Sequence, residues 1–454
     1  MVKIIDKENP NANVAILCPY IFFVNAFGGI LKHLPNAEIV PDFTGAPAGK
    51  LYPETYKENF RKFLLEKKLP WRDFENSNLT ITEFFSKYGT IVSPYHGGFA
   101  KNVALERHKK VRVFYGAAKD LWMFSLSSVF FDHICTPGKY FTNTLLGLYE
   151  NYGLGVSSTG EPKLDDLHSV GKEEARKLLC IESPKPILLV ASTWGSLSSL
   201  KKIAALLTRF TDQYEVIVKI HHVTQVFEPE ILDVFRNTTL KIIDESTPVS
   251  HALAAADVVL SDGSGIIFDT VLAEKPIVIL DTIGEMQESF FIETPFYGRK
   301  GGILTGAPTS SRSLEQIIKQ KDFRIGPVVP AYNGSLDYAT LRSAIEGALS
   351  NGDLYREVRE LIKSDYFSPI DGKASERVAS EIMRISEVSA RDMRSKRDEF
   401  FPLLVRDFEK RITEGTRAYR DTKVEMAQEL LNRMTRIRNL PYLARLTEVI
   451  NEFF

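Results

Sequence analysis

Residues 247–281, TPVSHALAAADVVLSDGSGIIFDTVLAEKPIVILD, carry the clearest structural signature of the chain. Thr247 followed by Pro248 predicts a helix start, because a hydroxyl can cap a free amide and proline suits the first helical position. The apolar run 257–260 has the length and composition of a buried strand. The Gly/Ser-rich turn after it predicts a second helix from near Ser264. We therefore expect helix, strand, turn, helix and strand in succession.

The turn SDGSG, residues 261–265, is predicted to bind an anion, because a helix that begins there presents backbone amides and the positive end of its dipole. The expected contacts are the Ser264 hydroxyl and the amides of Gly265, Ile266 and Ile267. Asp269 lies one turn further along the same face, where a carboxylate suits sugar hydroxyls better than phosphate. Together these features indicate a nucleotide. From the turn alone, an ordinary capped turn with Asp269 in solvent is the alternative.

The composition is that of a globular protein without a strong charge bias. The 454 residues allow two domains and an appendage, and a formal net charge of −1 gives no reason to expect nucleic acid as a partner. Cys18, Cys135 and Cys180 show no metal-ligand spacing, and each follows an apolar residue, so we predict buried, reduced thiols. No signal peptide or ~18-residue membrane span is recognisable. We expect a cytoplasmic protein, or one attached peripherally at the inner face of the membrane.

Short apolar strands alternate with helices in two series along the chain. This alternation predicts an α/β protein of two Rossmann-like, doubly wound parallel-sheet domains, an N-terminal one at 1–165 and a second at 166–385. Helices of the second domain are expected to return toward the N-terminal domain. Ligands of such sheets bind beyond the carboxyl ends of the strands, here in a cleft between the domains. Residues 386–454 are predicted to form a charged helical extension. We expect this extension to mediate oligomerisation or contact with a membrane or partner. The alternative is a solvated helical hairpin that packs on its own domain.

Polar residues stand at the ends of several predicted strands. They are His96, Tyr115, Thr193, His221 and Ser264. Because the carboxyl ends of parallel strands meet at one edge of a sheet, we expect these side chains to line the cleft. Trp194 follows Thr193 directly and is predicted to join it at the nucleotide.

An ordered series of motifs resembles the CDP-glycerol glycerophosphotransferases of teichoic acid and capsule synthesis. The motifs are VRVFYGAAKD at 111–120, STGEPKLD at 158–165, ASTW at 191–194, KIHH at 219–222, SDGSGIIFD at 261–269 and DGKAS at 371–375. They are similar, in that order, to the family's strand ending in His-Gly, T-G-x-P-[KR]-x-D, A-P-T-W, K-x-H-P, [ST]-D-x-S-x-x-x-F-[DE] and D-G-x-[AS]. The resemblance covers about 90–385 and implies the GT-B arrangement of two Rossmann-like domains.

The resemblance also implies roles for individual residues. His221 and Ser264 correspond to residues that bind the donor's pyrophosphate, and Asp269 to the acidic residue that contacts the ribose. The residues predicted to shape turns are Gly116, Asp262 and Gly263.

The chain departs from the family pattern at two positions. Tyr115 stands where the family has a histidine base, and a phenol with an ordinary pKa near ~10 is a poor base at neutral pH. His96, followed by Gly97, is favoured as its replacement. The alternatives are that Tyr115 orients the acceptor while the base lies elsewhere, and that catalysis has been lost. His222 replaces the proline after His221 and is expected to alter the loop beneath the diphosphate without abolishing binding.

The predicted reaction transfers a phosphoalcohol unit, such as glycerol phosphate, from a CDP-activated donor to an acceptor hydroxyl. His96 takes the acceptor's proton, and His221 with the helix start at Ser264 stabilises the leaving CMP phosphate. The expected partners are this nucleotide-activated donor and a cell-surface glycan or lipid-linked acceptor, without a cofactor or metal. The alternatives are a GT-B glycosyltransferase or UDP-sugar 2-epimerase, and an inactive nucleotide-binding scaffold.

Overall fold

The structure is a computed structural model that describes residues 13–388, except 47–49, 96, 103–104, 106–107, 118–123, 125–127, 129–130, 150–153, 196–197, 283–324, 333, 335 and 351. Two sheets of six parallel strands dominate these ranges, and helices pack against both. The predicted fold class is therefore confirmed. His96 and nearly all of the predicted extension at 386–454 lie outside the described residues.

The N-terminal sheet has the strand order β2-β1-β3-β4-β5-β6, in which the chain reverses direction across the sheet between β1 and β3. Its strands are β1 (Val14–Cys18), β2 (Ala37–Pro41), β3 (Thr90–Ser93), β4 (Lys109–Val113), β5 (His133–Thr136) and β6 (Gly155–Ser158).

The second sheet has the order β12-β11-β10-β7-β8-β9, which is the Rossmann order with its switch point between β7 and β10. Its strands are β7 (Ile187–Ala191), β8 (Glu215–Lys219), β9 (Lys241–Ile243), β10 (Val258–Ser261), β11 (Ile277–Asp281) and β12 (Val328–Pro330). Strands such as β7 and β10 are buried along their whole length, because helices cover both faces of a parallel sheet.

The α-helices of the described ranges lie between the strands in chain order and after β12. They are Ile21–Leu31, Glu54–Glu66, Ile81–Phe85, Lys139–Tyr149, Lys172–Leu178, Leu200–Leu207, His222–Phe227, Val249–Ala255, Ile266–Leu272, Tyr338–Ser350, Arg356–Tyr366 and Ala374–Glu387. The elements expected within 247–281 all form, with β10 and its two neighbouring helices close to their predicted positions.

Two local predictions are wrong. The helix that begins at Val249 has Pro248 at its N-cap position and no side-chain cap, so Thr247 does not cap it. Instead, the Thr247 carbonyl accepts a hydrogen bond from the Lys219 ammonium, 2.9 Å away. Cys180 is exposed, whereas Cys18 and Cys135 are buried as predicted. Cys180 follows a helix end in a left-handed conformation (φ +52°), and this turn directs it to the surface.

The helix Ala374–Glu387 returns to the N-terminal domain and completes its core. Its apolar residues Val378 and Ile382 are fully buried in one cluster with residues of β1, β3 and β4. Asp165 holds the start of this helix, because its carboxylate accepts hydrogen bonds from the amides of Ala374 (2.9 Å) and Ser375 (2.7 Å). STGEPKLD and DGKAS, which are far apart in sequence, are therefore in direct contact.

A second contact between the domains involves Glu245, in the loop after β9. Its carboxylate accepts a hydrogen bond from the Phe22 amide (3.0 Å) in the first turn of the helix Ile21–Leu31. Asn25, on the same helix, donates to the carbonyls of Glu245 (2.8 Å) and Ser246 (3.0 Å). Burial raises the pKa of Glu245 to about 7, although the hydrogen bonds from Phe22 and Tyr56 oppose the shift. The carboxyl group thus changes charge near neutral pH.

This raised pKa predicts a pH-dependent loss of stability. An unfolded glutamate loses its proton near pH ~4.3, whereas folded Glu245 keeps it until about pH 7, so stability falls as the pH rises between these values. We expect Glu245→Gln to remove this part of the fall, worth about 4 kcal/mol at most. Melting temperatures of both proteins from pH 4.5 to 8 measure the effect. Equal slopes in the two proteins would contradict it.

Candidate functional site

The carboxyl ends of β7 and β10 lie side by side at the switch point, where Ala191 pairs with Ser261. Asp262, directly after β10, is fully buried and joins the two strand ends. Its carboxylate accepts hydrogen bonds from the amides of Thr193 (2.7 Å) and Ser199 (2.8 Å), from the Ser199 hydroxyl (2.8 Å) and from the Ser192 hydroxyl. Burial raises the pKa of Asp262, and these donors oppose the shift. Asp262 therefore braces the loops that border the predicted phosphate position.

The turn after Asp262 is tight. The Ser264 amide donates to the Asp262 carbonyl (2.7 Å), and the helix Ile266–Leu272 follows with Gly265 at its N-cap position. No side chain caps this helix, so the alternative in which the Ser264 hydroxyl only caps the helix is wrong. The Ile267 amide already donates to the Ser264 carbonyl at 3.3 Å. Anion contacts from Ser264, Gly265 and Ile266 stay predictions.

His221 is the third residue of the KIHH segment, which begins at the end of β8, and it caps the next helix. Its Nδ1 accepts a hydrogen bond from the Val223 amide (3.2 Å), which places the proton of a neutral ring on Nε2. Lys219, two residues earlier, donates to the carbonyls of Asp244 and Thr247, both at 2.9 Å. Burial lowers the pKa of Lys219 to about 8, although Asp244 and Glu245 oppose the shift. In this motif Lys219 holds the backbone of the neighbouring loop, and a neutral His221 ring carries its proton on Nε2.

Aromatic rings from both domains meet beside His221. The His222 ring stacks on His221 (centroids 4.2 Å apart) and on Phe22 of the N-terminal domain (4.8 Å). Tyr115 packs edge-on against Phe23, with centroids 4.7 Å apart. His222, which replaces the family's proline, thus forms part of the domain contact.

Trp194 also borders this aromatic group, with its ring centroid 6.5 Å from that of His221. The structure therefore brings Tyr115, Trp194, His221 and His222 to one region, and the predicted roles of the first three at a ligand stay predictions.

A buried lysine connects the two halves of the cleft. The Lys163 ammonium lies 2.8 Å from Asp269 Oδ2 in the second domain and 2.7 Å from the Tyr115 carbonyl in the first. Burial opposes charge on this group, but the carboxylates of Asp269 and Glu161 outweigh burial, so the pKa of Lys163 is raised. Asp269, the predicted ribose contact, is 2% exposed and therefore not solvated. Asp269 Oδ1 has no hydrogen-bond partner among the described atoms.

Lys163 and Glu161 were not among the predicted site residues. The available signal was STGEPKLD itself, in which a basic residue follows Pro162 and an acidic one precedes it. The pairing of Lys163 with Asp269 could not be predicted, because the two residues are far apart in the sequence.

The described part of the chain lacks the features that would indicate a metal centre or a membrane span. It contains no group of three or more His, Cys, Asp or Glu side chains arranged to hold a metal ion. None of its helices combines the length and apolar character that crossing a membrane requires.

The two Rossmann-like domains and the cleft between them define a GT-B-type protein. Among solved structures, the wall teichoic acid polymerase TagF is similar in fold, with a TM-score of 0.53 and 15% identity over 84% of this chain and 90% of that one. A TagF variant soaked with CDPG gives a TM-score of 0.54 and 14% identity over the same shares. No curated protein sequence matches the chain.

Residues 74–282, somewhat less than half of the chain, match the model of the CDP-glycerol:poly(glycerophosphate) glycerophosphotransferase family. The matched segment includes Tyr115, Lys163, His221, Ser264 and Asp269. The resemblance predicted from the sequence is thereby confirmed.

The Asp262 contacts predict a strong effect of substitution. Asp262→Ala leaves the buried amides of Thr193 and Ser199 without their acceptor, and each unsatisfied amide costs about 1–3 kcal/mol. We expect the melting temperature to fall by several degrees. Asp212→Ala, at an exposed turn, serves as the control and should melt within about one degree of the parent. Equal melting of the two variants would show that Asp262 does not brace these loops.

Proposed function

We propose that this protein transfers a glycerol phosphate-like unit from a CDP-activated alcohol to an acceptor hydroxyl in cell-surface polymer synthesis. The observation that carries the proposal is the family match, because residues 74–282 include both sides of the cleft. The fold similarity to TagF agrees with it. The acceptor is a cell-surface glycan or a lipid-linked precursor of one.

The donor binds at the switch point of the second sheet. His221 is suited to the diphosphate, since its Nδ1 is engaged by the Val223 amide and a neutral ring then carries its proton on Nε2. The turn at Ser264 and Gly265 faces the same ligand, and Asp262 keeps that turn next to Thr193. Preorganised donors of this kind contribute about 10²–10³-fold each, because they need no reorganisation as charge develops on the leaving phosphate.

Asp269 contacts the ribose in this proposal. Lys163 fixes one of its carboxylate oxygens, and this leaves Oδ1 for a ligand hydroxyl. Trp194 lies beside His221 and borders the nucleotide.

The acceptor enters from the side of Tyr115. The Tyr115 ring packs on Phe23, a position suited to orienting an acceptor. The role of His96 as base stays a prediction, since His96 lies outside the described residues. Peripheral membrane contact or oligomerisation through 386–454 rests on the charged, amphipathic sequence of that segment.

Product analysis tests the proposed reaction. The full chain is incubated with CDP-glycerol and a synthetic poly(glycerol phosphate) oligomer, and we expect release of CMP together with lengthening of the oligomer. Thermal-shift measurements with CDP, UDP and GDP are run in parallel, and CDP should stabilise the protein most. Stabilisation by UDP without CMP release would instead indicate a UDP-sugar enzyme. Nucleotide binding without turnover of any donor would indicate an inactive scaffold.

The proposed contacts of His221 and Ser264 with the donor predict a loss of CDP affinity when either residue is replaced. His221→Asn keeps an acceptor that can cap the helix at Val223 but loses Nε2, and Ser264→Ala loses the predicted hydroxyl contact. We expect each variant to bind CDP about 10-fold to 100-fold more weakly in calorimetry, because each removes one hydrogen bond to a charged ligand. His33→Ala, at an exposed position, is the control. Unchanged CDP affinity in both site variants would refute this assignment.

A further inference from the structure

Glu161 is a buried carboxyl group whose oxygens make no hydrogen bond of normal geometry in the described part of the chain. Its side chain belongs to a residue that is 4% exposed, and neither Oε1 nor Oε2 has a partner among the described atoms. Buried polar groups in folded proteins are nearly always hydrogen-bonded, and an unpaired one is costly. A buried carboxyl group in this state therefore indicates a missing hydrogen-bonding partner, such as the hydroxyl group of a ligand.

The surroundings of Glu161 associate it with the reaction. Lys163, two residues later, contacts both Asp269 and the Tyr115 carbonyl and lies close enough to Glu161 for its charge to affect the carboxyl group. Tyr115 occupies the position of the histidine base in the motif that this chain resembles. Glu161 occupies the unspecified position of T-G-x-P-[KR]-x-D, so the carboxyl group is a feature of this chain rather than of the pattern.

We propose that Glu161 is the catalytic residue that accepts the proton of the acceptor hydroxyl. The inference rests on the proposed function. The hydroxyl oxygen attacks the distal phosphorus of the donor and forms a new P–O bond. The bond from that phosphorus to the bridging oxygen breaks, and CMP leaves with the electron pair. The hydroxyl proton passes to the Glu161 carboxylate, which later releases it to water.

The charges around Glu161 suit this role. Burial raises the pKa of Glu161 to about 8, Lys163 opposes the shift, and the carboxylates of Asp269 and Asp165 add to it. Among the described residues, Tyr115 also contacts Lys163 through its carbonyl, and the Arg377 guanidinium lies next to Gly160. A base of this pKa is increasingly ionised as the pH rises towards 8, so turnover should rise over the same range.

The test uses the full chain with CDP-glycerol and the poly(glycerol phosphate) oligomer, and measures CMP release from pH 6 to 9.5. We expect Glu161→Gln to lower kcat about 10²-fold to 10⁴-fold and to remove the rise of kcat with pH. CDP affinity should stay within about twofold of the parent, since the donor contacts are elsewhere. Glu161→Asp, which keeps a carboxylate, should retain the pH dependence at a reduced kcat.

Thermal melting separates this role from a structural one. Ionisation of Glu161 costs free energy in the folded protein, because burial raises its pKa. Glu161→Gln should therefore have a higher melting temperature than the parent at pH 9 and an equal one at pH 4.5. A variant that is more stable and less active cannot owe its lost activity to misfolding. Glu38→Gln is the matched control: Glu38 is a buried glutamate of β2 that pairs with Lys87 (2.8 Å). It should melt lower and keep its kcat.

The outcomes are distinguishable. If the parent releases CMP and Glu161→Gln does so at a similar rate and pH dependence, the Glu161 assignment is wrong and the proposed function stands. The assignment is also wrong if His96→Ala removes the pH dependence while Glu161→Gln retains it. If the parent releases no CMP from CDP-glycerol, the proposed function itself is wrong, and the role of Glu161 is wrong with it.

Discussion

The buried ion pair between Lys163 and Asp269 is the interaction on which the cleft depends. It joins the segment after β6 to the helix that follows the predicted phosphate turn, and the same ammonium holds the end of the β4 segment through the Tyr115 carbonyl. Breaking a buried pair by removing one partner leaves an uncompensated charge, at a cost of about 3–5 kcal/mol. The cation therefore fixes three parts of the chain, each of which carries a residue assigned to the reaction.

Much of the fold could be predicted because its signals are local. The apolar runs of β7, β10 and β11, separated by Gly- and Ser-containing turns, indicate buried parallel strands without any knowledge of their partners. The convergence of His221 and Ser264 with Thr193 follows from the rule that strand ends meet at one edge of a sheet. Asp262 links two of these strand ends directly, since its carboxylate, after β10, accepts hydrogen bonds from the loop after β7.

The pairings between distant residues could not be predicted in this way. Nothing near Lys163 in sequence indicates Asp269, and nothing near Asp165 indicates the start of the helix at Ala374. The errors at Thr247 and Cys180 have local causes: a proline took the cap position, and a left-handed residue turned the chain outward. Propensity rules describe what a residue tolerates, whereas these outcomes depended on how the next few residues packed.

The return of the helix Ala374–Glu387 to the N-terminal core has a mechanical consequence. The chain passes between the domains twice, once after β6 and once before this helix, and Asp165 ties the two passages together at the Ala374 amide. Two tethered crossings resist twisting of one domain against the other and favour bending about the line that joins them. We therefore expect any opening of the cleft to be a hinge motion about this line. In addition, an isolated N-terminal fragment would have a groove where the returning helix packs, so the folding unit is discontinuous in sequence.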